Sequence, residues 1–316
     1  MRFPTAFSIS FLLLAPALAR ADHGKGAIGG KTISPRTLHE GDASLEMGIR
    51  YQEAEPIPMD KFVQDALAGH DVHNVDWLLE YSVALSYGVT DHLTVSAGIP
   101  FSILHDFQAG GVDSGGKFTE EEANNIVGLG DASFTAKYSL LAVPVELAVI
   151  VGIKAPTGNT GEKTNTGDLL EPDHQPGSGS WDPLIGFALA RQLDERLSVG
   201  ASALWRITTE GKHRFRPGEI IQVATRAEYQ FAGLGAYPRW YGSFEVVGAY
   251  FGRDKQGSDI NRDTGGFLME VGPGLKTRVD PHLSLGGSVY LPVYQHEFGA
   301  QHKEALELLI GMVYDF

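Results

Sequence analysis

The sequence predicts an all-β chain: a transmembrane, up-and-down antiparallel β-barrel of about twelve strands. Three observations predict it. Apolar residues alternate with small or polar ones, with period 2, from residue 43 to the C-terminus. The connections between the alternating runs are short and long by turns. An export leader opens a chain in which every later apolar run is broken by Gly, Pro or a charge well before the ~18 residues that mark a spanning helix.

The leader comes first. Arg2, an apolar stretch from Phe7 to Leu18 and the small residues flanking Arg20 have the layout of a secretory signal, with cleavage expected after Ala21. Its apolar run is shorter than the ~20 residues a membrane anchor needs. Residues 1–21 are therefore expected to be removed, which implies export and, for a barrel, the outer membrane of a Gram-negative bacterium. The next segment, 22–42, carries Gly24, Gly26, Gly29 and Gly30 ahead of the first strand. It is either a periplasmic tail, the reading a chain end of this kind slightly favours, or a plug for the barrel that occupies 43–316.

Composition narrows the function classes. The chain has 0 cysteines, which excludes disulfides and thiolate metal sites. Its net charge is −14, and without the leader's Arg2 and Arg20 it is −16, which argues against a nucleic-acid partner. Closure of a sheet would have to supply the stability.

The strands carry the main evidence. From Trp77 to Tyr87 the odd positions are Trp77, Leu79, Tyr81, Val83, Leu85 and Tyr87, while the even ones are Leu78, Glu80, Ser82, Ala84 and Ser86. One face is apolar and aromatic, the other small or polar. The same period recurs at 145–155 and 197–207. Strands are expected near 43–55, 75–89, 93–107, 128–141, 145–157, 180–193, 196–212, 219–232, 239–253, 265–279, 283–297 and 302–316. Tight links such as Thr90-Asp91-His92, Asp194-Glu195 and Asp280-Pro281-His282 alternate with longer segments at 56–74, 108–127, 158–179, 213–218, 254–264 and 298–301. Short periplasmic turns and longer extracellular loops give that pattern. A soluble sandwich would solvate its second face with charge; here Gly98, Gly152, Gly200, Ser202, Gly272, Gly274 and Ser288 dominate it.

Four strings occur in order: YGVTDHLTVSAGIPF at 87–101, GLGDASFTAKYSLL at 128–141, VGIKAPTG at 151–158 and GSGSWDPLIGFALA at 177–190. Together they resemble the family of outer-membrane transporters named after the meta-cleavage pathway of phenol degradation. The resemblance implies a single outer-membrane barrel that helps small, often aromatic or hydrophobic compounds across, and it supplies no catalytic residues. On their own residues the motifs read as structural: glycines that allow a bend or close approach, and Pro156-Thr157-Gly158 as the end of a strand. A phosphate-cradling role for Gly128-Leu129-Gly130 lacks the helix that should follow.

If the apolar parity meets lipid, the other parity lines the lumen. The candidates are Glu80, Lys137, Glu146, Lys154, Arg206, Arg226, Glu228, Glu245, Glu270, Lys276 and Arg278, with Glu46, Arg50, Asp182 and Glu307. Such charges can select solutes in a water-filled pore or pair and narrow it. The basic group Arg206, Arg226, Lys276 and Arg278 suits a carboxylate or phenolate; salt bridges to Glu228, Glu245 and Glu270 are the more ordinary use.

Of 11 histidines, several fall in long segments. His70 and His73 have a spacing that could share a metal, but no third ligand is fixed by sequence, so no metal or other cofactor is expected. His92 and His282 sit in turns. No Ser-His arrangement with an orienting third group is displayed, so an enzyme is not expected. The expected function is passive passage of small organic compounds, with selectivity from the charged lumen and the loops; the alternatives are a closed barrel that is structural or binds a ligand or metal, and, further off, a hydrolase. The expected partners are outer-membrane lipid, a small solute and the barrel-assembly machinery. That machinery would read the last strand, in which Leu306, Leu308, Ile310, Met312, Tyr314 and Phe316 share a face.

Overall fold

The computed structural model describes residues 29–172 and 174–316. The expected leader, 1–21, and the start of the 22–42 segment lie outside them. In chain order the elements are β1 (Ala43–Glu55), helix α1 (Met59–Leu67), β2 (Val72–Asn74), β3 (Trp77–Thr90), β4 (Leu93–Val112), β5 (Phe118–Leu129), β6 (Ser133–Leu141), β7 (Glu146–Lys154) and β8 (Asp182–Gln192). They continue with β9 (Leu197–Arg206), β10 (Phe215–Arg216), β11 (Ile220–Ala232), β12 (Arg239–Phe251), β13 (Lys255–Gln256), β14 (Asp259–Ile260), β15 (Gly266–Arg278), β16 (Leu283–Glu297) and β17 (Lys303–Asp315).

All neighbours pair antiparallel, and β1 pairs with both β3 and β17, so the sheet closes into a barrel with twelve wall positions. Closure leaves no edge to present unpaired backbone groups to hydrocarbon. β5 and β6 share one position: β4 pairs with β6 through Leu93–Gly98 and with β5 through Phe101–Val112.

The parity is that of a membrane barrel. On β3, Tyr81, Val83, Leu85 and Tyr87 are exposed, while Glu80, Ser82, Ala84 and Ser86 are buried. Every wall position turns large apolar side chains outward, a continuous greasy surface that a protein in water does not expose. Tyr87, Tyr138, Tyr229, Phe231, Tyr314 and Phe316 are exposed near the short turns, the level of an aromatic girdle.

Three differences from the sequence reading have local causes. The stretch 108–127 is read as a loop, yet β4 and β5 continue as a ladder, pairing Gln108 with Glu122 and Gly110 with Glu120. Thr119 to Glu122 have no apolar face to betray a strand, because there the hairpin rises above the membrane. The strand expected over 196–212 ends at Arg206. Helix α1 lies in the 56–74 segment, its buried Phe62 and Ala66 packed with Ile57 and Val72. At nine residues it is too short for a clear 3.6 period.

Candidate functional site

Strand alternation turns a set of charges inward, and each meets an opposite charge or a main-chain group. Glu80, Lys137, Lys154, Arg206, Arg226, Glu245, Glu270 and Lys276 are buried; Glu146, Glu228 and Arg278 are partly so. Arg226 reaches Glu228 (2.6 Å) and Glu245 (3.3 Å), and Lys276 reaches Glu228 (2.8 Å). Arg50 lies 3.2 Å from Glu307. Arg278 donates to the Pro281 carbonyl (2.7 Å). The basic group is thus divided, with Arg206 apart near Asp182 and Asp131 rather than beside Arg226 and Lys276.

Sequence parity overlooks Glu304. The register of β17 against β1 slips between Leu306 and Glu304, so Ala305 is the extra residue of a bulge and Glu304 turns inward together with Glu307. Glu270, Glu304 and Glu307 then face one another within the barrel.

The countercharge comes from outside the wall. Lys31 Nζ lies 2.5 Å from Glu270 and 3.1 Å from Glu307. Its backbone N–H donates to Glu245 Oε2 (2.9 Å) and to the Tyr290 hydroxyl (3.0 Å). Farther along, Ile33 N–H donates to Ser202 Oγ (3.0 Å), Lys137 Nζ to the Ser34 carbonyl (3.0 Å), Arg36 Nε to Glu146 (2.8 Å) and Leu38 N–H to Thr94 Oγ1 (2.8 Å). Residues 31–38 therefore run through the lumen and use inward side chains of many strands as partners.

They do not fill it. Between residues 32–36 and the strands from β8 to β16 lies a cavity of about 430 Å³ at the short-turn end. Arg36, Arg191, Arg196, Arg226, Arg239, Lys276 and Arg278 line it, against Glu195 and Glu228. In a chain of net charge −14 this is a concentrated positive field. One aromatic ring stands in its lining, Tyr241, with Lys276 Nζ 4.6 Å from the ring centre; the Arg239 guanidinium lies 4.6 Å from the ring centre of Tyr237, outside that lining.

The Gly-rich motifs, far apart in sequence, converge on the break between β5 and β6. Asp131 accepts from Gly158 N–H (2.9 Å), Ser178 N–H (2.9 Å) and Lys154 Nζ (2.7 Å), and Lys154 also lies 2.9 Å from Asp182. Thr157 Oγ1 accepts from Ala132 N–H (2.7 Å). Gly158 and Gly177 touch backbone to backbone, where a Cβ on either would come within 2.7 Å of the other. The segment 155–181 is thereby tied across the place where, among the described residues, β5 has no strand on its far side.

At the outer end, His70 and His73 do not share a ligand. His70 Nδ1 pairs with Asp263 (3.0 Å), whereas His73 Nε2 faces Glu171 (3.1 Å) and Asp71 (3.4 Å). Burial, the leading cause, together with the neighbouring His73 and His174, pushes the pKa of His302 down to about 4. An apolar cluster of Leu78, Leu104, Phe107, Ala123, Ile126 and Leu170 fills the barrel here.

The barrel fold is shared with a solved outer membrane channel, and a family model matches most of the chain. A family described as "Putative MetA-pathway of phenol degradation" matches residues 77–300. Among solved structures, the COG4313 outer membrane channel from Pseudomonas putida F1 superposes with a TM-score of 0.60 at 15% identity, over 89% of this chain and 97% of the other. The toluene transporter TbuX from Ralstonia pickettii is more distant, with a TM-score of 0.45 at 11% identity over 98% and 100% of the two chains. No curated protein matches in sequence.

Proposed function

The chain belongs to the family described by the MetA pathway of phenol degradation, and from that premise we propose that it is a passive outer-membrane channel for small organic anions, aromatic ones included. The observation that carries the reading is the cavity beside residues 32–36. Seven cationic side chains against two carboxylates, with Tyr241 among them, suit a carboxylate or phenolate on an aromatic ring. At about 430 Å³ it has room for a single-ring solute.

In this reading residues 29–42 serve as a plug that narrows the barrel to a path along β8 to β16. Lumen selectivity rests on Arg226, Lys276 and Arg278 together with Arg239, and the remaining inward charges, Glu80, Lys137, Glu146, Lys154, Arg206, Glu228, Glu245 and Glu270, set the plug and the width of the path. No catalytic role is assigned to any of them. The strand β17, closing on Phe316, is the segment through which assembly machinery would engage the barrel. Ion current and reversal potential in planar bilayers test the proposal, since a channel of this lining conducts and prefers anions.

A further inference from the structure

Three long outward segments bring imidazoles to one spot. His73 comes from β2, His174 from the 155–181 segment and His302 from the residues just before β17. A turn containing Pro172, in which His174 N–H donates to the Glu171 carbonyl (3.1 Å), sets the Glu171 carboxylate beside them. Glu171 Oε2 lies 3.1 Å from His73 Nε2 and 3.9 Å from His174 Nδ1. One donor atom from each of His73, Glu171 and His174 falls within 4.8 Å of the other two.

Donors around a tetrahedral zinc, with bonds of about 2.0–2.1 Å, sit about 3.3 Å apart. The cluster is within side-chain adjustment of that arrangement. Two imidazoles and a carboxylate are also the donor set that zinc and neighbouring first-row divalent ions prefer. The surroundings are dry: His73 and His174 are 2% and 1% exposed, and the Phe107 ring lies against both, its centre 5.5 and 4.3 Å from theirs. His302 is also buried; its ring meets the His73 main chain, and its Nδ1 has no hydrogen-bond partner among the described residues.

We propose that His73, Glu171 and His174 bind a divalent transition-metal ion of the zinc class at the outer end of the barrel, with His302 beside the fourth position. Asp71, 3.4 Å from His73 Nε2, belongs to its outer shell. In a chain with 0 cysteines the ion supplies the staple that disulfides cannot, joining the segments after β1, after β7 and before β17 over the barrel mouth. The inference rests on the fold alone and stands or falls separately from the channel reading.

The test uses the full-length, untagged barrel in detergent, stripped with EDTA and titrated with zinc chloride by calorimetry. Folding of each variant is checked by heat-modifiable electrophoresis. Wild type is expected to take about one equivalent. His174→Ala and Glu171→Gln should weaken binding by about 100-fold or more, since outer-shell losses alone cost about 10–100-fold. His70→Ala, whose partner is Asp263, should bind like wild type. Zinc should also slow proteolysis of the 155–181 segment in wild type and not in folded His174→Ala. Absence of zinc binding to wild type would overturn the proposal, and so would equal binding by wild type and folded Glu171→Gln.

Discussion

A single lysine organises the middle of the lumen. Lys31 faces Glu270 and Glu307, with Glu304 beside them, and Arg50 also reaches Glu307. Breaking a buried pair by removing one partner costs about 3–5 kcal/mol, enough to release a short segment from the wall. Because the chain has no cysteine, Ser34→Cys gives a unique thiol for maleimide in that segment. Labelling should be slow with Lys31 in place and at least about tenfold faster when Lys31→Met is added; equal rates would show that the ion pairs do not hold the segment. Tyr290 is the matching neutral anchor. Its ring occupies the notch over Gly272, where any Cβ would overlap it, and its hydroxyl donates to Glu245 Oε2 (2.7 Å). Gly272→Ala should cost about 1–3 kcal/mol, read as a lower urea midpoint in vesicles, whereas an unchanged midpoint would mean that the notch is not needed. At this scale the sequence is informative wherever the backbone keeps strict period 2, because alternation alone then decides which side chains face inward. It is blind to Glu304, which a bulge turns inward, and to the meeting of Glu171 and His174 with His73, which only the closed barrel brings about.

Among the elements, the broken position formed by β5 and β6 differs most from a plain hairpin wall. Asp131 fills the break with bonds to Gly158, Ser178 and Lys154, and Lys154 also holds Asp182. Asp131→Asn keeps the shape but removes the charge opposite Lys154, leaving a buried cation less compensated. The expected result is a 155–181 segment cut by protease at least about tenfold faster while the barrel stays heat-modifiable, the local consequence of losing a pair worth a few kcal/mol. Unchanged protection would assign the fastening to the glycine contacts instead. The wall strands on either side of the broken position, the lower part of β4 and β7, were legible because each alternates apolar and small or polar residues. Their motifs were legible as turns and close approaches, but the shared knot was not: Gly128-Leu129-Gly130, Pro156-Thr157-Gly158 and Gly177-Ser178 each read as local punctuation, and only the pairing of β6 with β7 and β7 with β8 stacks them. The outer hairpin of β4 and β5 and helix α1 escaped for a related reason, since neither needs an apolar face against lipid.

On the scale of the whole molecule, the charges are sorted. The outside of the barrel is apolar, the middle of the lumen holds paired carboxylates and cations, and the short-turn end holds a cluster of arginines and Lys276 in a chain that is acidic overall. Alternation and loop lengths were enough to predict the barrel and its strand number, because closure leaves few other ways to satisfy the backbone in lipid. The position of residues 31–38 was not, since nothing in a Gly-rich chain end distinguishes a tail from a segment that finds partners inside. The central claim is that the barrel is a channel whose cationic cavity selects small organic anions. The most direct measurement is the reversal potential under a gradient of potassium benzoate in planar bilayers, for wild type and for Arg239→Glu combined with Arg278→Glu. Wild type should conduct with benzoate more permeant than potassium, and the double variant should reduce or reverse that preference. No current from correctly folded wild type, or a preference for potassium, would contradict it.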